Sequence, residues 1–148
     1  MSRTGLRCSI CVVLSVSASW ASVGTVDATG GVPPSLVGTW GKSISAATWN
    51  KDHLNGEPAG RYAMKIEANG RTGLYSGSVG VGALPLSTMP AAFSGHTVTF
   101  GATSNGVCPG RGIYHWVVSR SKLKLAVSKD GCRLRVVFLT AGPFALEH

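Results

Sequence analysis

The feature that most constrains this fold is an alternation of apolar and polar side chains that runs into an Asn-Gly pair. Residues 61–68 read Arg-Tyr-Ala-Met-Lys-Ile-Glu-Ala, with an apolar side chain at every second position. Side chains of a β-strand point alternately to the two faces of the sheet, so this spacing predicts a strand with one buried face. Asn69-Gly70 suits a type I′ turn, which needs positive φ at both central residues, and predicts a hairpin.

A period of two recurs along the chain, and no ten-residue segment has the period of an amphipathic helix. Short connections separate the expected strands, as in consecutive hairpins. These strands cover residues 36–45, 61–68, 71–79, 95–102, 112–119, 123–129 and 133–140. Residues 80–92 and 103–111 are rich in Gly and Pro and are expected to be loops.

Seven such strands favour an all-β fold, a small antiparallel up-and-down β-barrel of about seven or eight strands. An open sheet would leave two unpaired edges, whereas closure removes both. An eighth strand would come from Phe144 onward, from residues 48–53 or from part of residues 22–30, and the pattern does not choose among them.

The composition supports one ordered domain. The chain has 148 residues, of which 44% are hydrophobic and 14% charged. This length suits one domain, and disordered chains combine low hydrophobicity with high charge. No run of 18 apolar residues is present, which argues against a protein with several membrane-spanning helices.

The first 21 residues resemble a secretory signal peptide in layout. Arg3 and Arg7 make the start basic, residues 10–16 are apolar, and small residues follow up to Ala21. The alternative is a Val- and Ser-rich first strand of a cytosolic protein. On the signal-peptide interpretation the protein is exported, either secreted or periplasmic.

The remaining chain divides into three parts. Residues 22–35 are predicted to be a flexible lead-in, because they contain Gly, Ser, Thr and Pro without a burying period. Residues 36–145 are predicted to form the barrel. Residues 146–148, Leu-Glu-His, are interpreted as the remnant of a vector tag.

Cys108 and Cys132 are the two cysteines that remain after removal of the signal peptide. Two cysteines in an exported chain most often form one disulfide. The strands over 112–119 and 123–129 run out and back, so Cys132 returns to the rim where Cys108 lies. The sequence therefore predicts a disulfide that clamps one rim of the barrel.

Several of these residues resemble small exported lipocalin-like bacterial proteins. Residues 36–40, Leu-Val-Gly-Thr-Trp, are similar to the Gly-x-Trp of the first lipocalin strand. Residues 108–116, with Cys and Gly-x-Tyr-x-Trp, and residues 130–135, with Asp-x-Cys-x-x-Arg, match the order of a pattern in those proteins. The resemblance implies a calycin-type barrel with an inner cavity. It also implies that Trp40 packs under Arg135 in a cation–π contact that closes the barrel floor.

Five large side chains are candidates for a ligand cavity, and they share a position on alternating strand faces. They are Tyr62, Met64, Tyr114, Trp116 and Phe138. The first interpretation of these residues is a filled barrel core, and the second is that some of them line an apolar pocket. Such a pocket takes Tyr and Trp because they combine an apolar ring with a polar group. The loops at 80–92 and 103–111 would form the mouth.

Catalytic and metal-binding motifs are scarce. His53, His96 and His115 have no metal-ligand spacing, so no metal and no cofactor are predicted. No nucleophile–base motif is present. Asp130 is interpreted as a turn residue of the Lys-Asp-Gly sequence. Catalysis by cavity shape alone, with a Tyr, Trp or His as proton donor, stays open.

The net charge bears on partners. Removing the signal peptide takes the basic residues from 14 to 12 against 6 acidic ones, which leaves +6. A basic face over residues 120–135 would be solvated or make weak contact with an anionic surface. No aromatic–basic repeat is present, so nucleic acid is not expected.

Three functions follow from this interpretation. The first is binding of a small, largely apolar ligand in the barrel. The second is a cofactor-free cyclase or isomerase acting on a polyketide- or terpenoid-like substrate in the same cavity. The third is an exported protease-inhibitor-like barrel, in which residues 28–35 would be an inserting arm. The sequence gives no oligomeric state.

Overall fold

The computed structural model describes residues 30–54 and 57–148, and in this part of the chain eight antiparallel strands form one closed barrel. The strands are β1 (Gly38–Ile44), β2 (Gly60–Ile66), β3 (Arg71–Ser76), β4 (Ser87–Ser94), β5 (Thr97–Phe100), β6 (Gly112–Ser119), β7 (Lys122–Asp130) and β8 (Phe144–Glu147). Each strand pairs with its neighbour in sequence, and β8 pairs with β1. The predicted all-β up-and-down barrel is confirmed.

The two ends of the barrel differ. At one end, called here the hairpin end, tight turns join β2 to β3, β4 to β5, and β6 to β7. The first of these contains the predicted Asn69-Gly70. Gly70 has a φ of 83°, but the φ of Asn69 is not positive, so the hairpin forms without the predicted type I′ turn. At the other end, called here the loop end, longer connections join the remaining strands. Loops carry most binding sites because strands hold them in place, so the loop end is the candidate functional end.

The connection from β1 to β2 contains a short helix, α1 (Ala46–Lys51). Ser45 caps it, because its hydroxyl accepts the amide N–H of Thr48 at 3.2 Å. Residues 48–53, one of the three candidates for the eighth strand, therefore lie mostly in this helix. The helix places Trp49, which is almost fully buried, over the loop end.

The strand predicted over residues 133–140 is wrong, because this segment is helix α2 (Arg133–Thr140). Its β-branched and alternating residues favoured a strand. In the structure the buried side chains include Arg135, Phe138 and Leu139, which have helical spacing. Tertiary contacts of those three residues therefore override the local pattern. In the described ranges, no helix is both long enough and apolar enough to cross a membrane.

The loop predicted over residues 80–92 is also partly wrong, because β4 begins at Ser87. Met89 and Phe93 are buried at even spacing, as in other strands. Pro90 and the small alanines between them obscured this alternation, since Pro is disfavoured inside sheets. Here Pro90 is exposed, and its carbonyl oxygen accepts the amide N–H of Gly101 at 2.8 Å.

The last strand comes from Phe144 onward, which was one of the three candidates. Trp40 of β1 lies opposite Leu146, and Thr39 lies opposite Glu147. The carboxylate of Glu147 also accepts a hydrogen bond from Arg61 at 2.7 Å. The barrel therefore extends through Glu147, two residues beyond the boundary that the sequence predicted.

The segment before β1 is described from residue 30 onward. Residues 1–29, with the predicted signal peptide and most of the lead-in, lie outside the described part. Val32 packs against the core, and Leu36 ends a single 3-10 turn and is 1% exposed. The indole N–H of Trp40 donates to the carbonyl oxygen of Leu36 at 2.9 Å. These contacts fasten the described lead-in to the barrel.

Cys108 and Cys132 form the predicted disulfide at the loop end, with 5.4 Å between their Cα atoms. It joins the β5–β6 loop to the start of α2. We expect replacement of both cysteines by alanine to lower the free energy of unfolding by about 3 kcal/mol, because the bridge restricts the unfolded chain. Urea denaturation would measure this loss. A change below about 1 kcal/mol would contradict the expectation.

Candidate functional site

A cavity of about 310 Å³ lies at the loop end. Its volume is near the lower limit for small-molecule sites, which is roughly 300 Å³. Most of its wall is apolar or aromatic. Lining residues include Trp49 from α1, Tyr62 from β2, Leu74 from β3, and Leu134 and Phe138 from α2. The cavity is therefore built by both helices together with the strands beneath them.

The cavity wall is held by edge-to-face aromatic contacts. The ring of Tyr62 lies 5.9 Å from that of Trp49 and 5.6 Å from that of Phe138, both nearly perpendicular to it. The indole N–H of Trp49 and the hydroxyl of Tyr62 both donate to the carbonyl oxygen of Pro58. Burial raises the pKa of Tyr62, so its hydroxyl remains protonated and able to donate.

The rim of the cavity is exposed and partly apolar. Leu86 and Val107 line the cavity, yet they are 58% and 53% exposed. Leu86 belongs to the β3–β4 loop and Val107 to the β5–β6 loop, the two segments predicted to form a mouth. Val81 and Leu84, in the first of these loops, are also exposed. An apolar ligand in the cavity would cover part of the exposed apolar surface of Leu86 and Val107.

Only some of the predicted site residues meet at this cavity. Tyr62 and Phe138 line it. Met64 and Tyr114 are buried inside the barrel. Trp116 lies in β6, with its ring 5.2 Å from that of the exposed His96, which is in the β4–β5 turn at the hairpin end. The structure thus distributes the five candidates over the cavity, the interior and the opposite end.

The wall of the cavity near Arg135 rests on a buried ion pair. The guanidinium of Arg135 donates to both carboxylate oxygens of Asp130, at 2.6 and 2.9 Å. It also donates to the carbonyl oxygens of Gly101 and Gly110 at 2.7 and 2.9 Å. Both side chains are essentially excluded from solvent. This pair fastens α2 to the ends of β5 and β7.

Asp130 is the centre of this network. Besides Arg135, its carboxylate accepts the hydroxyl of Tyr114 and, at 2.7 Å, the amide N–H of Cys132. Burial alone would raise the pKa of Asp130, but these hydrogen bonds outweigh it and hold the pKa below the ordinary value. Burial, followed by the bond to Asp130, raises the pKa of Tyr114. Asp130 is therefore more than the turn residue that the sequence suggested.

Arg135 does not make the expected cation–π contact with Trp40. Its guanidinium is used by Asp130 at the loop end, because Arg135 lies in a helix rather than in a late strand. Within the described residues, the cation–π contacts come from Lys42 instead. The ammonium nitrogen of Lys42 lies 3.9 Å from the ring centre of Phe144 and 5.6 Å from that of Phe138.

Lys42 is a candidate functional group that the sequence interpretation missed. It lies between Trp40 and Ile44 in β1, and all three side chains are on the buried face. Alternation along β1 could have located it, since a residue two positions from a buried Trp points to the same face. A lysine is rarely buried without a partner, so this position is unusual.

The remaining polar candidates are at the surface. The cations at positions 120, 122, 124, 129 and 133 are exposed, and His115 is exposed as its alternation with Tyr114 and Trp116 implied. Arg133 lies 3.8 Å from Asp52, in an ion pair open to solvent. Over the described ranges, no three His, Cys, Asp or Glu side chains gather in a way that could hold a metal ion.

Comparisons with known proteins add no relative. No family model, curated protein or solved structure matches this chain. The fold and the cavity therefore define the protein as a closed eight-stranded antiparallel barrel, consistent with the calycin-type architecture.

Proposed function

We propose that this chain is an exported, lipocalin-like barrel that binds a small, largely apolar molecule in the loop-end cavity. The observation that carries the proposal is the cavity itself, with an aromatic wall at Tyr62 and Phe138 and exposed apolar residues at its rim. Transfer of an apolar ligand from water to such a wall is favourable. The disulfide suits an oxidising compartment and supports export.

Binding is favoured over the alternative of a cyclase. Two tyrosines of the candidate set, Tyr62 and Tyr114, already donate their hydroxyl protons to Pro58 and Asp130. His96 lies in a turn at the opposite end of the barrel from the cavity. The inhibitor alternative would need a projecting arm, whereas Val32 packs against the core.

A neutral fluorescent probe, N-phenyl-1-naphthylamine, tests the proposal. We expect its emission to rise on binding, and Leu134→Trp to weaken binding at least about tenfold because the larger ring occupies the cavity. Val136→Trp is the matched control, since Val136 lies on the same helix but lines a different surface groove. The control should retain its affinity within about twofold.

Two outcomes would overturn this proposal. One is the absence of probe binding to the folded protein. The other is equal affinity of the Leu134→Trp and Val136→Trp variants, which would place the probe outside the cavity. Native mass spectrometry of protein purified from its source would give the mass of a bound natural ligand, and the probe should displace that ligand.

A further inference from the structure

Lys42 places a primary amine in the interior of the barrel. The residue is 8% exposed, and Tyr62 is its cross-strand neighbour on the same buried face. Its amine nitrogen has no hydrogen-bond partner among the residues that the structure describes. Phe144 of β8 and Phe138 of α2 pack against it. The amine therefore lies among aromatic rings rather than among acceptors.

The charged groups of the surrounding elements are already paired elsewhere. On β8, Glu147 is bound to Arg61, and both stand on the face opposite to Lys42. At the end of β7, Asp130 is bound to Arg135 of α2. On β2, the hydroxyl of Tyr62 donates to Pro58. Glu57 lines the cavity and lies near Tyr62, but it forms no ion pair with Lys42. None of the ion pairs among the described residues includes Lys42.

Burial accordingly favours the neutral amine. It lowers the pKa of Lys42 from 10.5 to about 7, because the charged form loses its hydration. A neutral lysine amine has an available lone pair and is a nucleophile toward carbonyl carbon. Exposed lysines are almost entirely protonated at neutral pH and lack this reactivity.

The amine lies directly behind the cavity wall. Tyr62 and Phe138 both line the cavity and both neighbour Lys42, so one layer of aromatic rings separates the amine from a bound molecule. Phe138 belongs to the eight-residue helix α2 and meets Tyr62 edge-on. Contact between the amine and a molecule in the cavity therefore requires the Phe138 ring to move aside.

We propose that Lys42 is a reversible covalent attachment site for an apolar ligand that carries an aldehyde. This inference rests on the proposed binding function. The lysine nitrogen adds to the aldehyde carbon to give a carbinolamine. The carbonyl oxygen then leaves as water with the two protons of the amine, and a C=N bond forms. The step needs no oxidant or reductant, and added water reverses it.

An aldehyde suits this site better than a carboxylate does. A carboxylate ligand would require a charged ammonium and would bury an ion pair with no further donors to it, which desolvation makes costly. An aldehyde is neutral and reacts with the neutral amine that burial favours. The product imine is also less polar than the amine and lies among the same rings.

Reductive trapping with 2-naphthaldehyde and sodium cyanoborohydride at pH 7, followed by peptide mapping, tests the assignment. We expect Lys42 to be labelled at least about tenfold faster than any exposed lysine, with a rate that rises through a midpoint near pH 7 rather than near 10. Lys42→Met should abolish this label. Lys124→Met, which removes an exposed lysine of β7, should leave it unchanged. The α-amino group reacts in the same pH range and is scored on its own peptide.

The results separate this inference from the proposed function. If N-phenyl-1-naphthylamine binds but Lys42 reacts no faster than exposed lysines, the attachment site is refuted while the binding function stands. If 2-naphthoate displaces the probe and Lys42 stays unlabelled, the amine recognises a carboxylate and the proposal is overturned. If neither probe nor aldehyde binds, both fail. Leu134→Trp should slow labelling of Lys42 about tenfold, and an unchanged rate would refute entry through the cavity.

Discussion

Replacing Lys42 by methionine is expected to stabilise the barrel at pH 6 by about 3 kcal/mol. Burial lowers the pKa of Lys42 to about 7, and at 1.36 kcal/mol per pKa unit the cost of burying its charge approaches about 5 kcal/mol. Imperfect repacking around the methionine side chain, which usually costs less than about 1.5 kcal/mol, offsets part of that gain. Methionine fills a similar space without a charge.

The pH dependence identifies the cause of this gain. The pKa of Lys42 is lower in the native state than in the unfolded chain. Between about pH 7 and 10.5 the unfolded state therefore binds one proton that the native state does not bind. The advantage of Lys42→Met should therefore be full below pH 7 and decline toward zero near pH 10. Urea denaturation at several pH values measures it, with Lys124→Met as the exposed control. A destabilised Lys42→Met variant at pH 6 would contradict the account.

Replacing Arg135 by methionine is expected to have the opposite and comparably large effect. The free energy of unfolding should fall by about 3–5 kcal/mol, because the buried carboxylate of Asp130 loses its ionic partner. The carbonyl oxygens of Gly101 and Gly110 lose their donors as well. Thermal and urea unfolding at pH 7 measure the loss.

Matched variants distinguish loss of this pair from loss of any arginine. Arg133 lies on the same helix as Arg135 and forms a solvent-exposed ion pair with Asp52. Arg133→Met should change the free energy of unfolding by less than about 1 kcal/mol. The double variant Asp130→Asn, Arg135→Met should recover part of the loss, since no carboxylate remains buried alone. Equal effects of the two arginine variants would show that the buried network does not stabilise the fold.

Much of the fold was predictable because its signals are local. The alternation over residues 61–68 and the Asn-Gly turn fixed a hairpin, and similar patterns gave β5, β6 and β7. The disulfide followed from the return of β7 to the rim. Helix α2 was not predictable in this way, because the contacts that select it come from Asp130, Gly101 and Gly110, which are distant in sequence or in other elements.

The candidate site was predictable only in part. Tyr62 was found because it lies on the buried face of a clear strand, and Phe138 was found even though its segment is a helix rather than a strand. The role of Lys42 depends on which groups surround it, and those come from β2, β8 and α2. A sequence pattern gives the direction of a side chain but not its neighbours, so an interior amine was overlooked.

The short strand β8 has a consequence for biosynthesis. Only two residue pairs join β8 to β7, and three join it to β1. The β7–β8 pairing is therefore the shortest in the barrel. While residues from Phe144 onward are still inside the ribosome, the nascent chain has two unpaired sheet edges, on β1 and β7. Completion of the barrel must therefore wait until β8 has been translated and released, and an intermediate stalled before that point is the species most exposed to aggregation.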